Sequence, residues 1–506
     1  MCGITGVVSQ TTNDLLEILF PALNYSIRRG PDGLGVGLVN PYNGYVSSKR
    51  FVRVGLSPRD LEQKKSMFFN EVESDAHDKR AKYGLGQSKY STGTHKQRVN
   101  RIALQKNMQP THLHYDKLEK RINDCIAVHN GEIEDREIRR IIKPRSNNKA
   151  NVDSRFLAEI YYQKKREFND EWKAAEWVML NVKGAFSFGF SDGENLIFFK
   201  DKLGIRPLCL GEKGTSIILT SESGFFNDEG IKYIREIKNG EMIKIDRDGN
   251  IESRILVDAE PIHCGFEDIY FKDYFSRDFT GKYSCGNHIR FSIGKEEAIF
   301  YEESIKDIDL IVYAPESGKS YAQGFAYESG IPYKDCVRKV ESKRYFLVRE
   351  GHKYSIDDLA IKEKNIAVCD DSIVRADTLM KLYHSLKKNG ANKVKFFIAW
   401  PPVIHPCNRG IDTPTFGDLF AYQLVKDLII KVTSEGAEYD IIKVNKEMTN
   451  RIREKIRGKK EYKDVNVDDL EIYFGTPQIL EKALPYKTCS HCYTGIDSFT
   501  DKSSFS

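Results

Sequence analysis

Two rhythms of hydrophobic and polar positions divide the chain, and the change falls near residue 257. Before it, apolar runs are short and separated by turn residues. Residues 2–9 predict a strand, and Leu15, Leu16, Leu19, Phe20 and Leu23 recur at helical spacing over residues 13–28. Arg28-Arg29-Gly30-Pro31-Asp32-Gly33 predicts a tight turn into a strand at Val36–Leu38. Residues 57–82, polar and punctuated by Met and Phe, predict an inserted surface segment. Gly84 to Thr92 predicts a strand ending in small hydroxyls, and residues 93–122 a long loop or partial helix. Ile126-Ala127-Val128 predicts a strand that ends in a turn at His129-Asn130-Gly131-Glu132-Ile133. Asp153 predicts a cap for a helix over Ser154 to Tyr162. Residues 184–190 and 196–199 predict hairpin strands, followed by a turn over 201–208. Short strands with interspersed helices predict an α+β sandwich over 2–257.

Beyond 257, buried-strand runs alternate with helices. The strands are Ile308–Ala314, Asn365–Cys369 and Val394–Trp400, and helices near 319–329 and 377–389 separate them. That order predicts an α/β domain over 258–506, a parallel sheet with crossover helices. Residues 425–484, rich in Lys and Glu with Ile and Leu at helical intervals, predict a mostly helical C-terminal segment.

Composition narrows the class. At 506 residues the chain is too long for one ordinary core, and 40% hydrophobic content predicts a globular protein. A net charge of +5 is mild for this length and gives no reason to expect nucleic acid. No apolar run reaches membrane-spanning length, and no signal-type segment precedes Cys2, so a cytoplasmic protein is expected. Of the ten cysteines, only Cys489 and Cys492 form a Cys-x-x-Cys pair, a spacing that suggests metal or redox use.

The residue with the sharpest chemistry is Cys2. Once the initiator methionine is removed, it carries a thiol and a free α-amine on one carbon framework. The thiol is a nucleophile, and an α-amine, which titrates near ~8, can take its proton directly or through a water. Asn130-Gly131 by itself reads as a hairpin turn, and Asp153 as a cap. Later in the chain, Asp370 and Asp371 stand between a strand and a helix. By itself the string reads as a strand-capping Asp-Asp turn; two adjacent carboxylates there can also hold a divalent metal and ribose hydroxyls, and the backbone N–H groups that follow can hold a phosphate. Cys264, Cys407, Cys489 and Cys492 supply four thiolates that suit Zn²⁺ or an iron–sulfur cluster equally.

Six strings in the first half occur in one order. They are Cys2-Gly3-Ile4, Arg29-Gly30-Pro31-Asp32, His129-Asn130-Gly131, Val152-Asp153-Ser154, Gly184-Ala185-Phe186-Ser187 and Asp201-x-x-Gly204-Ile205-Arg206-Pro207-Leu208. Together they resemble class II glutamine amidotransferases, which are N-terminal-nucleophile hydrolases. The resemblance implies that Cys2 attacks the glutamine side-chain amide, with Arg29 in the catalytic set. Asn130 and the Gly131 N–H would form the oxyanion hole, and Asp153 would pair with the substrate α-ammonium group. Lys89 and Thr92 would complete the glutamine site. Lys89 stands where the family has an arginine, so a point charge replaces a planar fork.

In the second half, Pro315-Glu316-Ser317-Gly318, Gly324–Tyr333, Val368–Arg375 and Trp400–Asp412 follow in order. With the first half they resemble the amidophosphoribosyltransferase family, whose second domain is a type I phosphoribosyltransferase. The resemblance implies that ammonia passes through an internal channel to C1 of phosphoribosyl pyrophosphate, giving 5-phosphoribosylamine for purine nucleotides. Glu316, Ser317 and Gly318 would bind pyrophosphate. Asp370, Asp371, Ser372, Arg375, Asp377 and Thr378 would bind the ribose and 5-phosphate, and Arg344 would lie on the closing loop. Ser317, Asp370 and Asp371 would hold Mg²⁺, and Cys264, Cys407, Cys489 and Cys492 would hold a [4Fe–4S] cluster. A dimer or tetramer is expected.

Two strings depart from the family. Ala376-Asp377-Thr378 replaces Gly-Thr-Thr, and Lys339-Val340-Glu341-Ser342-Lys343-Arg344-Tyr345-Phe346 keeps only Arg344 and Phe346 of the loop pattern. A carboxylate at 377 is expected either to repel the 5-phosphate or to turn outward and pair with Lys381. These departures leave two other readings: an amidotransferase for another activated sugar phosphate or nucleotide, and a non-catalytic nucleotide-binding module.

Overall fold

The computed structural model describes residues 2–42, 46–52, 58–75, 80–89, 107–113, 125–133, 153–277, 279–280, 285–339, 354–411, 413, 415–433, 436–497 and 502–503. Thr92 and Arg344 lie outside them. Two compact units result. One contains Met1–Cys264, Phe275–Gly281 and Asn408–Asp412; the other contains Gly265–Tyr274, Lys282–Cys407 and Thr413–Ser506.

The first unit holds two antiparallel sheets. Strands β1 (Gly3–Val8), β2 (Gly33–Val39), β3 (Val46–Val52), β4 (Tyr83–Lys89), β9 (Cys209–Lys213), β10 (Ser216–Thr220) and β11 (Lys232–Glu236) form the first, in the order β11-β9-β10-β1-β4-β2-β3. The second runs β13-β12-β8-β7-β6-β5. Its members are β5 (Thr111–Leu113), β6 (Cys125–Ile133), β7 (Gly184–Ser191), β8 (Leu196–Lys200), β12 (Glu241–Ile245) and β13 (Ile251–Ile255). Alternation along each strand sorts side chains into layers. Ile4 and Val8 of β1 meet Ile126, Val128 and Phe198 between the sheets. Val7 faces the other way, onto Leu15, Leu19 and Leu23 of helix α1 (Thr12–Ser26). On the far side, Phe186, Phe188 and Phe190 pack under α3 (Asp153–Phe168) and α4 (Glu171–Asn181). Each of those rings is fully buried, which stabilises by about 1.5–3 kcal/mol apiece.

Two expectations are corrected here. The stretch 57–82 contains a helix, α2 (Pro58–Asp75), because Phe68 and Val72 are four residues apart and both reach the core beside α1. His129 to Ile133 is not a turn. Strand β6 continues through it, paired with β7 from Ile126↔Ser191 to Ile133↔Gly184.

The second unit is built on a parallel sheet, β14-β17-β18-β19, from β14 (Leu310–Tyr313), β17 (Ile366–Asp370), β18 (Val394–Ile398) and β19 (Leu470–Phe474). A two-stranded ribbon, β15 (Val337–Lys339) and β16 (Tyr354–Ile356), stands apart from it. Crossovers run through α6 (Lys319–Ser329), α7 (Asp377–Lys388) and α8 (Ile441–Arg457), and α5 (Gly286–Phe300) precedes β14. Strand β19 is a correction to the expected helical segment over 425–484. Leu470, Ile472 and Phe474 alternate into the core, and helix α8 ends thirteen residues earlier. Among the described residues, no helix is long and apolar enough to cross a membrane.

Candidate active site

Cys2 immediately precedes β1, which lies near the centre of its sheet between β10 and β4, and its own backbone is tied down on both sides. The next two amides are held by serines. Gly3 N–H donates to Ser88 Oγ at 3.2 Å, and Ile4 N–H to Ser221 Oγ at 3.2 Å. The Ser88 hydroxyl in turn donates to Ser26 O at 2.6 Å. Arg29 donates from Nε to the Cys2 carbonyl at 3.2 Å. Its guanidinium is ion-paired with Glu222, and the Ser276 hydroxyl donates to the other Glu222 oxygen. Arg29, Glu222 and Ser276 are each at least 98% buried. The pair is a buried one, so removing either member would take an opposite charge away from the other in a place that water does not reach.

Asn130 and Gly131 arrive from the second sheet. The Asn130 side-chain amide reaches Ser221 Oγ at 3.3 Å, which joins it to the hydroxyl that caps Ile4. Gly131 has φ +142°, and a Cβ there would collide with the Ala185 carbonyl of β7. Only glycine lets β6 stay in register past this point. Asp153 begins α3, where its Oδ1 accepts the Ser154 N–H at 2.8 Å. Its Oδ2 lies 3.7 Å from His129 Nδ1. Burial lowers the His129 pKa, so this contact is between a carboxylate and a neutral imidazole. Asp153 remains partly exposed, whereas Lys89 ends β4 beside Gly33 of β2.

Sequence reasoning passed over Ser221, Glu222 and Ser276. A signal exists in the polar run Thr220-Ser221-Glu222-Ser223 after the apolar Ile217-Ile218-Leu219. Its meaning depends on the pairing Thr5↔Thr220, which sets that run beside the start of β1.

In the second unit, Asp370 is the last residue of β17 and Asp371 follows it at the carboxyl edge of the sheet. Ligands of open α/β sheets bind at that edge. Both aspartates are buried. Asp371 Oδ1 accepts the Ser372 hydroxyl at 2.7 Å, and Oδ2 accepts that of Ser317 from the 315–318 loop. The two strings thus meet at one carboxylate. Burial raises the Asp371 pKa, against the two hydroxyls and the charges of Arg290 and Lys339. Tyr274 donates its hydroxyl to the Glu316 carbonyl. Ser317 is half-buried and Gly318 buried, whereas Glu316, Arg375, Asp377 and Thr378 are exposed.

The expected Asp377–Lys381 pair gives way to another arrangement. The Asp377 carboxylate lies 4.0 Å from both Lys455 of α8 and Lys459 just beyond it. Two ammonium groups offset its charge, which weakens the repulsion of a phosphate expected from sequence. Ala376 takes the left-handed conformation, φ 65°, at the start of α7.

The four cysteines are divided by the unit boundary, Cys264 in the first and Cys407, Cys489 and Cys492 in the second. Ile404 and His405 donate their N–H groups to the Cys492 carbonyl at 2.9 and 3.0 Å, so the segments bearing Cys407 and Cys492 are neighbours. Among the described residues, no group of three or more His, Cys, Asp or Glu side chains is arranged to hold a metal ion.

Comparison with known proteins agrees with both halves. A glutamine amidotransferase domain family matches residues 96–228. Amidophosphoribosyltransferase of Synechococcus elongatus is 34% identical over 355 residues, 67% of this chain and 68% of the relative. That of Methanocaldococcus jannaschii is 27% identical over 457 residues, covering 85% and 90%. Among solved structures, glutamine phosphoribosylpyrophosphate amidotransferase of B. subtilis, complexed with ADP and GMP, superposes with a TM-score of 0.74. It covers 98% of each chain at 21% identity, a likeness of fold. The architecture is therefore an N-terminal-nucleophile sandwich followed by a type I phosphoribosyltransferase sheet, and the chain belongs to the amidophosphoribosyltransferase family.

Proposed function

We propose that this chain is a glutamine-dependent amidophosphoribosyltransferase of purine nucleotide biosynthesis, releasing ammonia at Cys2 and adding it to C1 of phosphoribosyl pyrophosphate. The observation that carries this reading is the pairing, on one chain, of an anchored Cys2 with a carboxylate pair at the edge of a parallel sheet. Chemically, the Cys2 thiol gives its proton to the α-amine and its sulfur attacks the amide carbon. The α-ammonium group returns that proton to the amide nitrogen, the C–N bond breaks and ammonia leaves, and water then cleaves the thioester to glutamate and the free thiol. Asn130 and Gly131 would face the oxyanion, where each donor is worth ~10²–10³ in rate. Asp153 would hold the α-ammonium group, and Lys89 and Thr92 the rest of the substrate. Ammonia then displaces pyrophosphate from C1, giving 5-phosphoribosylamine.

Ser317, Asp370 and Asp371 would hold Mg²⁺. Two buried carboxylates side by side at the sheet edge fit a site that gains from a cation. The metal would neutralise the pyrophosphate leaving group. Glu316 and Gly318 would bind that pyrophosphate, Ser372, Arg375, Asp377 and Thr378 the ribose phosphate, and Arg344 would close over it. The thiols of Cys264, Cys407, Cys489 and Cys492 would hold a [4Fe–4S] cluster, whose potential hydrogen bonds to its sulfurs help to set. Trp400 Nε1 lies 3.3 Å from Cys492 Sγ. The reading includes a cytoplasmic homo-oligomer.

The test is glutamate release from glutamine, with and without phosphoribosyl pyrophosphate and Mg²⁺. Stimulation is expected, and Cys2→Ala should lower glutamate release by at least about 10⁴-fold while sparing synthesis from added ammonia. Equal loss of both activities in the folded variant would overturn the division of labour. Iron and sulfide analysis of anaerobically purified protein tests the cluster, with zinc as the opposing result.

A further inference from the structure

Glu132 follows the Asn130-Gly131 pair on β6 and takes no part in the chemistry above. Along a strand, side chains alternate, so Glu132 shares a face with Asn130. Its half-buried carboxyl accepts the N–H of Gly410, from the Asn408–Asp412 segment that folds with the first unit. Gly410 has φ +98° and packs directly over Gly131. A Cβ on it would stand 3.0 Å from both the Cα and the carbonyl carbon of Gly131. The same segment is held a second time, by Arg206 donating to the Arg409 carbonyl. Gly131 is thus trapped between the β7 backbone on one side and Gly410 on the other.

We propose that Glu132 is a positioning residue for the glutamine half-reaction. Ionised, it holds Gly410 against Gly131 and so fixes the backbone donor that would meet the oxyanion. The inference rests on the glutaminase reading of Cys2. A carboxylate accepts an N–H bond more strongly than a carboxylic acid does, so the hold tightens as Glu132 loses its proton.

The surroundings put that proton within reach of neutral pH. Burial, and next the charge of Asp153 on α3, push the Glu132 carboxyl up to about 7. Arg206, the Gly410 N–H and Arg409 oppose the shift. Nearby His129 on the same strand is neutral through burial and feels the charges of Asp153, Lys89 and Arg206. Glutamine brings an ammonium group toward Asp153, which removes part of the repulsion and favours ionised Glu132 in the substrate complex.

The experiment is the pH profile of glutamate release by the full-length protein, with kcat and KM measured separately. In the wild type, kcat should rise with pH through a step at or below about 7. Glu132→Gln keeps the shape and a hydrogen-bond acceptor but cannot ionise, and should lose that step. Glu132→Ala should lower kcat by about tenfold, a misplaced donor costing less than a deleted one, with KM within about twofold. Glu132→Asp should restore a step. Thermal melting and ammonia-dependent synthesis serve as fold controls. A wild-type profile in Glu132→Gln, or a change confined to KM, would overturn the positioning role. Absence of glutamate release from the wild type would instead defeat the glutaminase reading itself.

Discussion

The two halves of the molecule hold their reactive groups in opposite ways. Around Cys2 the fixings are interior: two serine hydroxyls on successive amides, and Arg29 locked to Glu222, whose other oxygen accepts from Ser276. Around the 375–378 loop they are peripheral. Arg375 pairs with Asp418 at 3.4 Å, Lys455 reaches the Arg375 carbonyl at 3.1 Å, and Asp377 faces Lys455 and Lys459 from a half-exposed position. Exposed pairs contribute about 0–1 kcal/mol, whereas a buried pair that loses a partner costs about 3–5. Cys2 therefore sits in a frame that fails sharply, and the 375–378 loop in one that yields by degrees.

Substitutions can break that contrast. The largest effect is expected from Glu222→Ala, which leaves Arg29 buried without its carboxylate. It should destabilise the first unit by about 3–5 kcal/mol in denaturant melts and remove glutamate release. Ammonia-dependent synthesis should survive in whatever fraction stays folded. A loss below about 1 kcal/mol would place Arg29–Glu222 among the peripheral pairs.

Next is Glu297, an interior group in the second unit. It is fully buried on α5, and neither carboxylate oxygen has a hydrogen-bond partner among the described residues. Burial raises its pKa well above the ordinary 4.5. Above that value the unfolded chain releases the proton and the folded one keeps it, so the wild type loses stability as pH rises. Glu297→Gln should gain on the wild type by up to about 1.4 kcal/mol per pH unit from near pH 4.5 upward. Parallel pH–stability curves for the two proteins would contradict this.

A smaller change follows from the left-handed backbone at Ala376. Ala376→Gly should relieve about 1 kcal/mol of strain, less the entropy that glycine adds to the unfolded chain, and raise the melting temperature slightly. The smallest concerns Asp377. With two lysines offsetting its charge, Asp377→Thr should change the affinity for phosphoribosyl pyrophosphate by less than about tenfold in calorimetry. A larger gain would restore the phosphate clash that the sequence alone suggested.

Local signals were legible where one segment carries its own explanation. Apolar spacing in α1 and the turn chemistry of Asp201, whose Oδ1 accepts the Leu203 and Gly204 amides at 2.9 Å, are of this kind. Strand β19 was hidden because its five residues alternate with Glu471 and Tyr473 inside a Lys/Glu-rich stretch. The Glu222 support was hidden for a different reason. Its role exists only once β10 pairs with β1, and no periodicity in either strand announces that partner.

The ring of Phe198 on β8 fills the space over Gly6 of β1 and Gly189 of β7, and a methyl group at either glycine would overlap it. Residues 6, 189 and 198 therefore behave as one unit of inheritance. Among homologous sequences they should change together or not at all, a smaller residue at 198 accompanying any side chain at 6 or 189. Because Gly6 lies only four residues from Cys2, such a triple exchange would also reset how deeply the start of β1 sits, giving natural variation a way to adjust the surroundings of Cys2 without touching it.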